Sequence, residues 1–450
     1  MSTRIACGAG FWGDYPDATT QLIEYGEFDY LQFEYLAEVT MGLLHRLQRR
    51  DPDKGYATDF IDYVIEDHLA TILEKGIRIV TNAGGLNPAG CAKKVLEIAA
   101  QQDVDVDIAI VTGDEITTEL KTLRESGISL DHLDTEETYS QIEESVVAGV
   151  TYLGAFPIAQ ALDTGADVVI TGRTVDPALT LGPLIHEYNW TQADYDQLAA
   201  GIIAGHLIEC GTQVTGGNLS KGWEQLDFAN IGYPIADVNE QGTVHITKPS
   251  QTGGEVSEAT VSEQLVYEIG DPTAYLTPDV SADFTSPDVN QIDDNLVELE
   301  GIEGSSPPNT YKVSIHYEDG YKLAGNLLYS RPDALAKARK AADILQNRID
   351  TLELEIPETT AEFVGHNATH GPLAPEQENY NEIMLRFAAW SENKADLRRF
   401  GMEFAPLSLA GPPSVAGLTD TGRPTPQKVI NAWPALIPKT AVEPEVIKYE

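Results

Sequence analysis

Three glycine turns carry the residues of this chain best suited to chemistry. CGAGFWGD sets Gly8, Gly10 and Gly13 in the spacing G-x-G-x-x-G and ends on Asp14. TNAGGLNPAG offers Asn82, Gly84, Gly85 and Asn87; TGRTVDPALT offers Arg173 and Asp176. Each follows an apolar run and leads towards a helical pattern. Free N–H groups and the dipole at a helix N-terminus favour negative charge. Arg173, just past a strand end, has the donor fork best matched to carboxylate or phosphate. Asn87-Pro88 and Asp176-Pro177 also read as plain helix caps, with Pro where its missing N–H costs nothing. Both readings stand together: the turns start helices, and the same amides hold an anion.

The acid–base candidates are Asp14 and Glu34, with His206 and His370 in reserve. Glu34 and Glu38, in FEYLAE, share a face only if that stretch is helical, and a solvated face is the plainer reading. His206 and Cys210 are spaced for a His–Cys nucleophile pair, or for a core cysteine beside a histidine at a helix C-terminus. GHNATHG brings His366 and His370 close, but its glycines oppose a long helix and no third ligand is evident, so no metal site is expected. The glycine fingerprint, with Glu34 where a ribose-binding acid belongs, raises NAD(P). Pro16 opposes it, because the fingerprint's helix should already be running there. No cofactor follows from the sequence.

Positioning these groups takes alternating strands and helices. Strands are expected at TRIAC, DYLQFEYL, IRIVTN, DIAIVT and DVVITG. Helices are expected over Ala18–Tyr25, Asp59–Lys75, Ala89–Gln101, Glu136–Val147, Ala178–Tyr188 and Tyr195–Cys210. The pattern predicts an α/β fold, with a mostly parallel sheet and flanking helices in the N-terminal half and ligands beyond the carboxyl ends of the strands. After Trp223 the texture turns to a β-rich α+β region. GTVHITKP, EATVSEQLVYEIG and TYKVSIHYEDGYKLAGNLLYS read as antiparallel strands, the last with a hairpin at Asp319-Gly320. Helices follow near Asp333–Arg348 and Tyr380–Trp390, with LELEIPETTAEFVGHNATHG as strand between them. Domains are therefore expected at 1–225 and 226–450, the second ending in a Pro/Gly-rich tail that wraps the surface or a partner subunit.

The 450 residues include 71 acidic and 29 basic ones, a net charge of −42. Such a surface excludes nucleic acid and anionic membrane as expected partners, since phosphate binding wants basic charge. It fits a folded protein of a salt-rich cytoplasm, where screening acts over about 3 Å at 1 M salt. Three widely spaced cysteines and no CxxC point to a reducing compartment. No signal peptide or membrane span is expected.

CGAGFWGD, YLAEVTM, IVTNAGGLNP, VITGRTVDPALTLGP, AGHLIECGTQVTGGN, THGP, GPPSVAG and WPALIP, in this order over nearly the whole chain, resemble the acyclic terpene utilisation family, AtuA. His366 departs from the family pattern, which favours an apolar residue there, whereas His370 keeps its place in the motif. The resemblance implies a role in catabolism of acyclic terpenes or related methyl-branched acids. It also implies a setting beside acyl-CoA carboxylases, hydratases and lyases. It implies a pathway and leaves the reaction to the residues. The expected protein is a lyase or hydratase acting on a carboxylated or CoA-linked branched metabolite, and its glycine-rich turns and Pro-rich tail fit a homo-oligomer. The alternatives are a non-catalytic acyl-CoA-binding subunit of a carboxylase or hydratase assembly, and an NAD(P)-dependent oxidoreductase.

Overall fold

The computed structural model describes residues 2–375, 377, 379–416 and 422–449. The last residue of GPPSVAG, Gly417, and the part of the expected tail over 417–421 lie outside the described residues. The chain forms two compact units, residues 1–316 with 432–450, and residues 317–431.

The first unit begins with β1 (Ser2–Cys7), α1 (Ala18–Tyr25), β2 (Tyr30–Phe33), α2 (Glu38–Arg50) and α3 (Glu66–Glu74), the last preceded by a π-helical turn over Phe60–Ile65. It continues through β3 (Arg78–Thr81), α4 (Pro88–Gln102), β4 (Ile108–Thr112), α5 (Leu120–Glu125) and β5 (Val146–Thr151). Next come α6 (Phe156–Asp163), β6 (Val168–Thr171), α7 (Ala178–Tyr188) and α8 (Tyr195–Glu209). Then follow β7 (Ile235–Asn239), β8 (Val244–Thr247), α9 (Glu258–Leu265), β9 (Tyr275–Leu276) and β10 (Ser281–Asp283). The strands β11 (Asp288–Asp293), β12 (Leu296–Glu300) and β13 (Glu303–Ser305) precede β14 (Thr310–Ser330), which runs on into the second unit.

The second unit holds α10 (Ala334–Thr351), β15 (Glu358–Val364), β16 (Glu382–Ser391), α11 (Lys394–Gly401), α12 (Leu407–Ala410) and β17 (Val415–Ala416). The long strand β18 (Gln427–Pro438) and β19 (Glu445–Tyr449) close the chain.

The main sheet is mixed, in the order β11-β12-β8-β7-β1-β2-β3-β6-β4-β19. Its centre, β1-β2-β3-β6-β4, is parallel. β7, β8, β12 and β11 extend one side antiparallel, and β19 pairs antiparallel with β4 on the other. The strands after Trp223 thus join the parallel sheet, and the boundary between compact units falls at Tyr317, well beyond the change of texture. The inner strands are apolar on both faces, as parallel strands under helices must be; every residue of β2 and of β6 is buried.

Two cores cover the two faces. α1, α3 and α4 send Leu22, Leu69 and Val95 into one. α6, α7 and α8 send Ile158, Leu184 and Ile203 into the other. α4 leaves β3 on the first face and α7 leaves the neighbouring β6 on the second. The loops beyond these two carboxyl ends therefore diverge, which makes a topological switch point, the place where such sheets bind ligands.

Several expected elements differ. Glu136–Val147 is not a helix: short 3₁₀ turns over Tyr139–Gln141 and Glu143–Ser145 lead straight into β5. Its β-branched Val146-Val147 supports a strand start better than a helix end. EATVSEQLVYEIG forms α9, started by Ser257, whose hydroxyl accepts from Thr260 N, so a capping box outweighs the β-branched residues. No hairpin forms at Asp319-Gly320; β14 runs through, with Gly320 at φ 63° and Trp390 Nε1 donating to Asp319 O at 2.7 Å. Tyr380–Trp390 is not a helix but β16, whose Ile383, Leu385, Phe387 and Ala389 are buried with the strand period of two.

In the second unit the sheet runs β15-β16-β14-β17. Ala338 and Leu345 of α10 and Phe400 of α11 share its core with Leu385 and Phe387.

Candidate active site

Buried polar groups gather around the switch point. Glu34 follows β2, Asn82 follows β3 and Arg173 follows β6. Asn82 ties its own loop to the one after β2: its Oδ1 accepts from Tyr35 N at 2.8 Å and its Nδ2 donates to Glu34 Oε1 at 2.5 Å. Glu34 Oε1 also accepts from Leu36 N at 2.8 Å and lies 3.8 Å from Arg173 Nη1. Arg173 Nη1 donates to Asp176 Oδ1 at 2.6 Å, and the guanidinium carbon stands 4.3 Å from the Tyr152 ring centroid. Arg173 N donates to Asp114 Oδ2 at 2.6 Å, fixing the turn from the end of β4. A Cβ on Gly172 would run into that carboxylate, so glycine there is a matter of room.

Tyr152 reaches the site because β5 leaves the sheet. Leu153 N donates to Arg173 O at 3.2 Å and Val175 N to Leu153 O at 2.9 Å, joining this loop to the one after β6. Tyr152 N donates to Lys312 O of β14 at 3.0 Å. Glu38 then accepts from Lys312 Nζ at 2.8 Å and from the Tyr152 hydroxyl at 3.1 Å. Lys312 Nζ lies 5.0 Å from the Tyr152 centroid, so two cations attend one ring. A cavity of about 720 Å³ opens here, lined by Arg173, Asp176, Tyr152, Lys312, Glu38, Glu268 and Tyr275 and by apolar groups such as Val175, Leu276 and Leu436.

The electrostatics follow from burial. Burial and then the Asp176 carboxylate push Glu34 well above the usual carboxylate range, against the pull of Arg173 and Asn82. Burial alone would weaken the Arg173 charge, but Asp176, Tyr152 and Glu34 outweigh it and keep the guanidinium protonated. Burial raises Asp114 to about 7. It raises Tyr152, and Tyr275 still further, so both hydroxyls remain donors at neutral pH. Burial opposes the Glu38 charge too, yet Lys312 and the Tyr152 hydroxyl bring it below its ordinary value.

A buried pair stands on α8. His206 Nδ1 is 3.2 Å from Glu209 Oε1, and His206 Nε2 is 2.8 Å from Gln264 O. A carbonyl only accepts, so Nε2 carries a proton and the shared proton lies between Nδ1 and Glu209. Burial lifts Glu209 to about 7, with His206 opposing. Glu34 Oε2, Arg173 Nε, Thr174 Oγ1 and Glu209 Oε2 are buried with no hydrogen-bond partner among the described residues. Buried polar atoms of folded proteins rarely stay unpaired, so each of these has capacity left for a water or a ligand.

The candidates named from the sequence fall in four places. Glu34, Asn82, Arg173 and Asp176 come together at the switch point. Asp176 does not cap α7 with its side chain, which is committed to Arg173. Asn87 does cap α4, accepting from Gly90 N at 3.0 Å, and Gly84 and Gly85 are buried beneath the turn, Gly84 where a Cβ would meet Pro88 Cα. The first glycine turn closes on itself: Gly8 N donates to Gln32 O at 2.9 Å and Gly10 N to Asp14 Oδ2 at 2.8 Å. Asp14 Oδ1 accepts from Tyr15 N and the Tyr233 hydroxyl. Gly13, at φ 104°, sits beside them. Gly10 and Asp14 border a second cavity of about 690 Å³ with Cys210, Gln213 and Trp223. His206 pairs with Glu209 and not with Cys210, whose thiol burial pushes up to about 12. His370 is exposed in the second unit, and His366 there bonds the Tyr380 hydroxyl at 2.7 Å. Among the described residues no cluster of three His, Cys, Asp or Glu is arranged to hold a metal. No described helix is long and apolar enough to cross a membrane.

Sequence reasoning missed Asp114, Tyr152, Lys312, Glu209 and Tyr275. Asp114 was within reach, since it follows the run DIAIVT as Arg173 follows DVVITG. Tyr152 was lost with the misread β5, and nothing local marks Lys312.

The profile described as "Acyclic terpene utilisation family protein AtuA" matches residues 3–447, nearly the whole chain. No curated protein and no solved structure matches it.

Proposed function

The chain belongs to the acyclic terpene utilisation family, and we propose that it acts in catabolism of acyclic terpenes or related methyl-branched acids, as a lyase or hydratase. Its substrate would carry a carboxylate or a CoA thioester. The observation that carries this reading is Arg173, buried at the switch point and opening onto a cavity with both apolar and charged walls.

Hydration of a double bond conjugated to a carbonyl adds hydroxyl at Cβ and a proton at Cα. The site needs donors at the carbonyl oxygen, a base for water and an acid for Cα. Arg173 and Lys312 would anchor the anionic end. Tyr275, protonated at neutral pH, would donate to the carbonyl, while the Tyr152 hydroxyl stays on Glu38 and its ring holds the two cations in place. Asp176 would take the proton of water as the hydroxyl adds to Cβ and pass it on to Cα, acting as base and then as acid. Glu34, held neutral behind Arg173, leaves the guanidinium one fewer fixed negative charge and so more positive field for a ligand. The apolar wall at Val175, Leu276 and Leu436 suits a branched hydrocarbon chain. Lyase action is the same chemistry run towards cleavage or elimination.

The NAD(P) alternative is disfavoured because the Gly8 and Gly10 amides, which would face a pyrophosphate, are taken by Gln32 and Asp14. A salt-rich cytoplasm is the setting we propose, on the charge of −42. The test is turnover of branched enoyl thioesters and hydroxy acids by the purified protein alone. Loss on Arg173→Ala supports an enzyme. Ligand binding without turnover would favour the acyl-CoA-binding subunit instead.

A further inference from the structure

We propose that the cavity bordered by Gly10 and Asp14 is a binding site for an organic cation that carries a quaternary ammonium group. The cavity measures about 690 Å³ and shares no lining residue with the one at the switch point. Phe11, Trp223, Phe228 and Tyr267 line it. These are four of the seven Phe, Tyr and Trp side chains that stand exposed among the described residues, each at least 40% open to solvent. Large rings gathered in one concave place, with polar groups between them, mark a surface built to be covered.

The charge of the wall says what covers it. Among the described residues that line the cavity, Asp14 is the only acidic one, and there is no Lys, Arg or His. The run IECGTQVTGGNLSKGWEQLDF, residues 208–228, holds Lys221, which is not on the wall, against Glu209, Glu224 and Asp227. A carboxylate or phosphate would find no partner here, whereas the switch-point cavity has Arg173 and Lys312. Aromatic rings are negative on their faces and attract cations, Trp most strongly. The rings, the carboxylate and the net charge of −42 all favour a positive guest.

The hydrogen bonds narrow the kind of cation. Asp14 Oδ1 accepts from Tyr15 N at 2.8 Å and from the Tyr233 hydroxyl at 2.7 Å, and Oδ2 accepts from Gly10 N at 2.8 Å. Gln213 Oε1 accepts from Asn218 Nδ2 at 3.1 Å. A primary ammonium brings three N–H donors and would compete for these occupied oxygens. A quaternary ammonium brings none. Its charge is spread over methyl groups that pack against ring faces. Asp14, held by its three donors, supplies counter-charge without having to turn. Four rings and one fixed carboxylate are what such a guest requires.

The experiment is calorimetric titration of the full chain with choline, with the uncharged analogue of choline in which carbon replaces nitrogen, and with ammonium chloride. It is run in about 1 M KCl, where the diffuse pull of the net charge on any cation is screened within about 3 Å. The expected result is binding of choline, with the neutral analogue and ammonium at least about tenfold weaker. Trp223→Ala and Phe228→Ala should each weaken choline about three- to fivefold, and Trp223→Phe less than Trp223→Ala. Both side chains are exposed, so the unfolding midpoints should stay unchanged. Arg173→Ala should leave choline binding intact, which separates this site from the one at the switch point whatever becomes of that reading. Equal binding of the neutral analogue would show an apolar cavity with no preference for charge and would overturn the proposal. No binding of choline, or binding indifferent to both alanine variants, overturns it too.

Discussion

Arg173 Nη1 and Glu34 Oε1 lie 3.8 Å apart although they leave strands that are not neighbours. β3 stands between, and its Asn82 bridges the gap by bonding Glu34. With Asp176 at 2.6 Å on the same Nη1, one guanidinium serves two carboxyl groups of different character. Glu34 is buried and pushed towards the neutral acid; Asp176 is partly open to the cavity.

Removing the guanidinium should therefore do more than weaken ligand binding. Arg173→Ala takes a charged hydrogen bond from Asp176 and a neighbour from Glu34, and losing a hydrogen bond to a charged group costs about 1.5–3 kcal/mol. Denaturant unfolding should show a loss of that order. Arg173→Lys should restore part of the stability and little binding, because an ammonium lacks the planar fork. Full binding in the lysine variant would count against the fork.

Asp114 gives a pH dependence with a definite sign. Its folded pKa is raised to about 7 by burial, against an ordinary value of about 3.9. In that window the folded state holds more protons than the unfolded one, so this group's contribution falls as pH rises from about 4 to about 7. Asp114→Asn keeps an acceptor for Arg173 N and cannot titrate. Its stability relative to wild type should be greater at pH 7.5 than at pH 4.5. A constant difference across that range would mean that Asp114 titrates normally.

Gly10→Ala tests the packing of the first turn. A Cβ there would stand 2.7 Å from the Cys210 carbonyl carbon and 2.9 Å from Gly211 N, both backbone atoms that cannot swing away. Overpacking of this kind costs about 1–3 kcal/mol, read as a lower unfolding midpoint. Since the turn's amides are already bonded, NADH should shift the wild-type midpoint by nothing measurable.

Net charge makes a further demand. At −42 the folded chain repels itself, and salt relieves this. The thermal midpoint should climb steadily from about 0.15 M to above 1 M KCl as the screening length contracts from about 8 Å to 3 Å. A flat response would remove the salt-rich cytoplasm from the account.

What could be read in the sequence followed the range of the interactions involved. Parallel strands such as VVIT and the Pro-started α4 announce themselves locally, through apolar runs and the cap at Asn87. The glycine turns at the carboxyl ends therefore pointed to Arg173 and Glu34. The partners that give those residues their character are distant in sequence: Tyr152 arrives on a strand outside the main sheet, and Lys312 on β14. The sequence offered His206 the wrong neighbour, Cys210, because helical spacing permits i+3 and i+4 alike; the structure picks Glu209. β16 was misread because its alternation is short and its flanks carry no turn residue strong enough to exclude a helix.

The central claim is that the switch-point cavity holds an anionic branched substrate through Arg173. Thermal unfolding at high KCl, with free and CoA-linked branched acids, dicarboxylates, NAD(P)H and divalent metals, tests it most directly. A ligand confined to the folded state adds about 2.7 kcal/mol at a hundred times its dissociation constant. The account predicts that a branched acid or its thioester raises the midpoint, and that Arg173→Gln, compared with its own unliganded midpoint, abolishes the rise. A rise with NAD(P)H alone, or one that survives in Arg173→Gln, would contradict it.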